Sequence, residues 1–294
     1  MTTTEQITEG GFRENRWVFL TILRKNPVYL FGFSVVLLFL VYSLVVGLDP
    51  GILGYNPTHT DLSSTLKPPS WQFPFGTDDV GRNVFLESLY GAPIDAGVGI
   101  AIVLLAFIIG IVSGAMAGYI GGYTDDVIMR ITDVFLAFPG LVLAVAIAAA
   151  LGPGVTNALI ALSVVWWPVY TRLARGEALS VKQHQYILAA KASGLTKFRI
   201  VISHVIPNIV NSMVVYSTVD IGNVIILFSV ISFLGLGAQP PRIDLGRIVY
   251  DGLYFAQQAP WWPILPGVMI FVIVISFAFT GDLISEYLNP RSRR

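Results

Sequence analysis

Apolar residues in this chain fall into long unbroken runs. They show neither the alternation of a half-solvated strand nor the every-third-or-fourth spacing of a surface helix. Six runs stand out: Val28 to Leu48, about Ile94 to Tyr119, about Ile131 to Leu151, about Val155 to Leu173, about Ile209 to Leu236, and about Pro263 to Ile284. A helical bilayer crossing needs roughly 20 mostly apolar residues. Inside lipid the backbone must bond to itself, so each run is predicted to be an α-helix. A transmembrane barrel needs alternating segments of about ten residues, which these are not. The expected architecture is an all-α polytopic membrane bundle of six transmembrane helices. A polar stretch of about 26 residues leads into the first run. That run has full spanning length and no small-residue cleavage site behind it, so it is expected to stay as an anchor.

Composition agrees with the pattern. Of the 294 residues 12% are charged and 54% are hydrophobic, with a mean hydropathy of +0.71. A soluble domain carries about 25% charged residues, so the charges here are too few to clothe a water-facing surface. The net charge is zero, but its distribution is uneven. With the N-terminus inside, the inner segments hold Arg13, Arg16, Arg24, Lys25, Arg130, Arg172, Arg175, Lys182, Lys191, Lys197, Arg199, Arg291, Arg293 and Arg294. The outer segments hold only Lys67, Arg82, Arg242 and Arg247. Basic residues accumulate on the cytoplasmic side, so both termini are predicted to be cytoplasmic. No nucleic-acid partner is expected, and the lipid bilayer is the surrounding medium. The chain divides into residues 1–93 (N-terminal segment, first span, outer loop) and a five-helix core over 94–294.

Two outer segments are long. Asp49 to Pro93 contains Pro68-Pro69-Ser70-Trp71, and Gly237 to Trp262 contains Pro240-Pro241 and Pro260-Trp261-Trp262. Their tryptophans read either as interfacial anchors or as part of a vestibule. On the second span, Gly110, Gly114 and Gly118 share one helix face and allow close backbone approach, either as ordinary tight packing or as a sliding contact. Pro139-Gly140 and Pro168 are expected to bend the third and fourth spans. Asp220, near the middle of the fifth span and close to Asn223, is costly in lipid. It either lines a water-filled cavity or bonds across helices, for instance to Ser217, Thr218 or a neighbouring span. Asp133, three residues after Arg130, fits an ordinary helix-end pair.

Several chemistries have no residues to carry them. No Gly-Lys dipeptide occurs, so there is no phosphate-binding P-loop. His59, His184 and His204 are far apart in sequence, with no His-Glu-x-x-His pair to hold a metal. No Gly-x-Ser-x-Gly elbow is present, and there is no cysteine. No catalytic set and no metal site is predicted. No relay of carboxylates runs through the spans, so Asp220 gives only weak support to an ion-driven carrier.

The basic inner loop between the fourth and fifth spans, 175–208, has more architecture than charge alone requires. It reads as a helix continuation, a short helix Tyr186 to Ser193, a turn at Gly194 where a positive φ stops the helix, and an amphipathic stretch Lys197 to Ile206. Pro207 marks entry to the fifth span, where a missing N–H costs little. This segment resembles the "EAA" loop of importer-type ABC permeases, Glu-Ala-Ala-x3-Gly-x9-Ile-x-Leu-Pro. Ala189, Ala190, Gly194, Ile206 and Pro207 match; Leu188 replaces the family glutamate, and His204 takes the first hydrophobic position of the tail. Further segments in the same order are similar to the oligopeptide/dipeptide (DppC/OppC-type) branch. They are Phe75-Gly76-Thr77-Asp78-Asp79-Val80-Gly81-Arg82, Met129 to Pro139, Ser232-Phe233-Leu234-Gly235-Leu236-Gly237 through Pro241, Ala259-Pro260-Trp261, and the Gly281-Asp282 to Arg291 tail. Phe228 stands where a glutamate is usual.

The resemblance implies a type I ABC importer permease fold and a non-enzymatic role as one of two paired permease subunits, in the cell membrane. It implies a second, DppB/OppB-like permease, two cytoplasmic ATPase subunits that bind ATP and magnesium, and an extracytoplasmic substrate-binding protein. This chain itself is expected to hold no cofactor. The implied cargo is a dipeptide or oligopeptide, with oligosaccharides or nickel as the alternative cargo and a secondary carrier as the alternative class. The coupling loop would be carried by Leu188, Ala189, Ala190, Ser193, Gly194, Lys197, Phe198, His204 and Pro207. Asp220 and Asn223 are the candidate pathway-lining residues.

Overall fold

The computed structural model describes residues 19–288. Arg13, Arg16 and the three arginines after Asn289 lie outside the described residues, as does the end of the C-terminal tail motif. The helices are α1 (Pro27–Leu48), α2 (Val84–Ile120), α3 (Tyr123–Leu136), α4 (Gly140–Leu151), α5 (Val155–Val181), α6 (Gln185–Ala192), α7 (Lys197–Ile200), α8 (Ile206–Phe233), α9 (Leu245–Leu253) and α10 (Trp261–Leu288). Among the described residues there is no β-sheet. Four helical runs are long and apolar enough to cross a membrane, or five if the bent pair α3–α4 is one span. α5 has the length but is too polar to join that set. It is also enclosed by α2, α3, α4 and α8, so much of its surface meets protein instead of lipid.

α1 begins and ends within a residue or two of the predicted first span, but α2 starts ten residues earlier than predicted. Asn83 caps it, accepting from the N–H groups of Phe85 (3.0 Å) and Leu86 (3.3 Å), and Pro93 lies inside the helix. At 1.5 Å per residue its 37 residues span about 55 Å, well beyond a hydrocarbon core of about 30 Å. The boundary drawn at 93 therefore falls inside a helix.

The predicted third span is not one continuous helix. α3 and α4 meet at an 81° bend because Pro139 offers no N–H and disfavours helical backbone at Phe138. α4 alone, at 12 residues, is about 18 Å long. Asp133 pairs with Arg172 of α5, not with its helix neighbour Arg130. Asp125 grips Arg175 of α5 through both oxygens, at 2.6 and 2.7 Å. α5 itself runs on through Pro168 as one helix.

α2 and α5 make the most extensive helix contact in the structure. Its centre is the glycine row. A Cβ on Gly110 would strike Tyr170; one on Gly114 would strike the Thr171 carbonyl and lie 2.7 Å from the Ala174 Cβ; one on Gly118 would lie 2.7 Å from the Arg175 carbonyl and 2.9 Å from the Ala178 Cβ. The row is thus a fully packed seam within the bundle. One core joins α2, α4, α5 and the segment from α6 to α8. A second joins α1, the first half of α2, α9 and α10. α1 and α10 leave large apolar side chains such as Leu38, Leu44 and Phe271 exposed, as a lipid-facing surface requires. Trp262, expected as an interfacial anchor, is instead buried in the second core and stacked on Phe255 at 5.3 Å. Trp71 is fully exposed at the tip of the loop before α2.

Overpacking a close contact costs about 1–3 kcal/mol. Gly114→Ala is expected to destabilise the purified protein by that amount, while Gly97→Ala, where an added Cβ meets nothing within 4 Å, is expected to stay within about 0.5 kcal/mol. Thermal unfolding of both variants in one detergent checks the contrast. Equal melting temperatures would refute the seam.

Candidate functional site

α5 runs to Val181, itself buried in the first core, and turns at Lys182–His184 into α6. α6 ends in two reverse bonds: Leu195 N–H to the Ala190 carbonyl at 3.4 Å and Gly194 N–H to the Lys191 carbonyl at 3.1 Å. These are the paired bonds of a Schellman motif, with Gly194 at the left-handed position. Its φ is +80° with open space around it, so glycine is needed here for conformation and not for room. Thr196 then caps α7, accepting from the Arg199 N–H.

The predicted loop residues divide by which way they face. Leu188 (58%) and Phe198 (60%) are exposed, as are Ala189, Ser193, Lys197 and Pro207. Of the alanine pair, Ala190 is buried beside Ile187 and joins the first core. His204 is half-buried, and its Nδ1 has no hydrogen-bond partner among the described residues. The hairpin therefore presents large apolar side chains outward, with Tyr186 and Ile202 beside them. Behind it a cavity of about 270 Å³ is lined by Leu188, Lys191 and Lys197 against Lys182 and Tyr119 at the end of α2.

Pro207 is the second residue of α8, in the first turn where its missing N–H was expected to cost little, but α8 is not a separate helix. The helical run is continuous from Lys197 to Phe233 and passes through a π turn at Val201–Val205. A proline inside a helix leaves a carbonyl without its donor and crowds the preceding turn; the wider turn makes room. Asn208 Nδ2 donates to the His204 carbonyl at 2.6 Å.

Asp220 is buried, at 1% exposure. Its Oδ2 accepts from Trp166 Nε1 at 2.6 Å and from the Tyr170 hydroxyl at 2.9 Å, both on α5, and Oδ1 lies 3.5 Å from Asn223 Nδ2. Ser217 and Thr218 instead donate to the Val214 carbonyl. Asn223 itself is exposed. Of the two readings open from sequence, the interhelical bond to a neighbouring span describes this conformation.

At the Val84 end of α2 the structure gathers carboxylates that the sequence reading did not single out. In the loop before α2, Asp78 accepts from Arg82 Nε (2.6 Å) and from the Arg82 (2.6 Å) and Val80 (3.0 Å) N–H groups. Burial pushes Asp78 above the usual carboxylate range, against the pull of Arg82. Thr77 and the left-handed Gly76 and Gly81 complete this knot, which accounts for the Phe75–Arg82 motif as a structural joint. Asp244 caps α9 and accepts from Ser232 Oγ (2.5 Å), Ala238 N–H (2.9 Å) and Arg247 N–H (2.9 Å), so the Ser232–Pro241 motif is a second joint. Burial raises the Asp244 carboxyl too, its donors opposing. Asp95 of α2, fully buried, accepts from Leu245 N–H at 3.0 Å. It lies inside the predicted second run, and an ionisable residue there was the available signal.

The fold is that of a multi-pass membrane helical bundle. The chain belongs to the family described as binding-protein-dependent transport system inner membrane component, whose profile matches residues 106–294. It is 37% identical to the dipeptide transport system permease protein DppC of Alkalihalophilus pseudofirmus over 92% of this chain and 88% of that one. It is 36% identical to the probable D,D-dipeptide transport system permease protein DdpC of Escherichia coli K12 (92% and 90%), and 33% identical to that organism's nickel transport system permease protein NikC (81% and 86%). Among solved structures it shares the fold of a chain of the MetNI methionine ABC transporter in an inward-facing conformation. The TM-score is 0.58 at 18% identity, covering 70% of this chain and 98% of the other.

Replacing Asp220 tests its role in the bundle. Asp220→Leu leaves the half-buried Trp166 and the buried Tyr170 donors without this acceptor, and is expected to cost about 2–4 kcal/mol. Asp220→Asn keeps an acceptor and is expected to cost about 1 kcal/mol. Thermal unfolding ranks the two, and an equal loss would sink the assignment.

Proposed function

We propose that this chain is one of two paired permease subunits of an ATP-driven importer for dipeptides and oligopeptides in the cell membrane, with both termini in the cytoplasm. Six crossings require α5 to be one of them, beside α1, α2, the α3–α4 pair, α8 and α10. The observation that carries the reading is the hairpin α6–α7. Its rigid glycine-stopped fold and outward Leu188, Ala189 and Phe198 give a soluble partner an apolar surface to grip. The peptide cargo is supported by the dipeptide permeases that match nearly the whole chain.

The partners in this reading are a second homologous permease, two cytoplasmic ATPases that hold ATP and magnesium, and an external substrate-binding protein. The mechanism is alternating access. Closure of the ATPases on nucleotide pushes the α6–α7 hairpin. α5 transmits the push because α6 is built on its end, and α5 moves with α2 because the glycine row locks them. Asp220 ties α8 into the same unit through Trp166 and Tyr170, and Asn223 stands on the exposed side of that joint. Ser193, Lys197, His204 and Pro207 complete the hairpin and its passage into α8. Nickel remains the cargo of a relative with lower identity over a shorter stretch, so it ranks behind peptides.

Any side chain with a Cβ at Gly194 must adopt a left-handed backbone at a cost of roughly 1–2 kcal/mol, more for a β-branched one. In proteoliposomes holding the assembled importer, Gly194→Val is expected to cut ATP-dependent dipeptide uptake more than tenfold and to reduce recovery of the ATPases with the permease. An uncoupler should leave wild-type uptake intact. Uptake without the ATPases, or full activity and ATPase recovery in the variant, refutes the proposal.

A further inference from the structure

Two carboxylate oxygens at the Val84 end of α2 stand without a donor among the described residues, Asp95 Oδ1 and Glu87 Oε2, and of the two residues Glu87 lines a cavity. Glu87, in the first turn of α2, is 1% exposed; its Oε1 lies 3.6 Å from Arg82, and its Oε2 is buried with no hydrogen-bond partner among the described residues. Buried acceptors are nearly always paired, because an unpaired one carries its full desolvation cost. This residue lines a cavity of about 320 Å³ built from three segments distant in sequence: Pro57 of the loop before α2, Arg82 and Glu87, and then Arg242, Arg247 and Asp251 after α8. That volume is at the lower end of the range of about 300–1,000 Å³ for small-molecule sites.

The lining charges are not equivalent. Arg82 is committed to Asp78 and to the Pro57 carbonyl. Arg247 gives Nε to both oxygens of Asp251, at 2.9 and 3.0 Å. Arg242 is exposed and has no ion-pair partner among the described residues. The cavity thus offers one carboxyl oxygen that lacks a hydrogen-bond partner and one guanidinium that lacks an acceptor.

We propose that this cavity is a subsite for a short zwitterionic peptide, with Glu87 receiving its α-ammonium group and Arg242 its α-carboxylate. The inference rests on the peptide-importer reading and adds a recognition element within this chain for free peptide ends. An ammonium supplies the N–H donor that Glu87 Oε2 lacks, and a guanidinium offers a carboxylate paired parallel donors. The cavity lies at the end of α2 opposite the α6–α7 hairpin, where cargo handed over from outside would first meet the permease.

Equilibrium binding of radiolabelled dialanine to the purified full-length chain in lipid nanodiscs tests this, with N-acetyl-dialanine and dialanine amide as competitors. In the wild type, each end-blocked peptide is expected to compete at least tenfold more weakly than dialanine. Glu87→Gln should weaken dialanine binding at least tenfold and abolish its preference over the N-acetyl form. Arg242→Ala should abolish only the preference over the amide. Arg242 is exposed, so its variant keeps the test alive if Glu87→Gln fails to fold, which thermal unfolding reports. Absence of saturable dialanine binding, equal competition by blocked and free peptides, or unchanged preferences in the variants overturns the subsite. ATP-dependent dialanine uptake by the assembled importer is measured in parallel. Uptake without end-group discrimination by this chain removes the subsite and leaves the importer, whereas absence of peptide uptake removes the importer reading itself.

Discussion

Lipid tails are as apolar as the helices they surround, so within a membrane the hydrophobic effect does not press one helix against another. Close packing and polar ties must do so. In this chain both converge on α5. The glycine row of α2 lets backbone approach backbone along Tyr170, Thr171, Ala174 and Ala178, and the Ser113 and Thr171 hydroxyls meet across the seam at 2.8 Å. Tyr170 belongs to two contacts at once. Its Cβ lies over Gly110, and its hydroxyl donates to Asp220 of α8. One side chain thus joins the α2–α5 seam to the α5–α8 tie.

This arrangement explains how a helix as polar as α5 holds its place. Trp166 and Tyr170 find their acceptor in Asp220, Arg172 and Arg175 find theirs in Asp133 and Asp125, and its small residues face glycines. A polar group costs several kcal/mol in lipid only when it is unpaired. Because α5 is pinned along most of its length, its extension toward Val181 is a rigid arm. On the proposed reading, the hairpin built on that arm moves together with α2 and α8. A long-range coupling of this kind needs no chain of small adjustments, only a well-packed unit that moves whole.

What was legible in the sequence follows from which physics is local. The first apolar run, the α6 helix and its glycine stop depend on residues adjacent in the chain, and each was read close to its observed place. The α3–α4 bend was also local, since Pro139 signals it, although the run of apolar residues across the bend suggested one continuous span. The pairing of Asp133 with Arg172 was not legible, because it depends on how α3 lies along α5. The carboxylates at the Val84 end of α2 were hidden for a similar reason. Glu87 sits just before an apolar run and looks like a solvated helix end, yet α9 and the preceding loop fold over it. The early start of α2 had its signal in Asn83, a strong N-cap residue.

The two places where glutamates of the family pattern are replaced now have different physical meanings. Phe228 is fully buried in the first core, where a carboxylate would need a partner and an aromatic ring needs only volume. The exchange there removes a demand on the bundle and asks nothing of any other subunit. Leu188 is more than half exposed on the hairpin, next to Ala189 and close in sequence to Phe198, so its exchange changes what the hairpin offers outward. A glutamate on that face would bring one charge that calls for a polar or basic contact. A leucine brings apolar area that gains only if it is covered. On the proposed reading, the ATPase that receives this hairpin must therefore have an apolar floor opposite Leu188. An ATPase groove built to bind the family glutamate would be left with an unpaired polar group against it, which is the element that lets an interface reject a wrong partner.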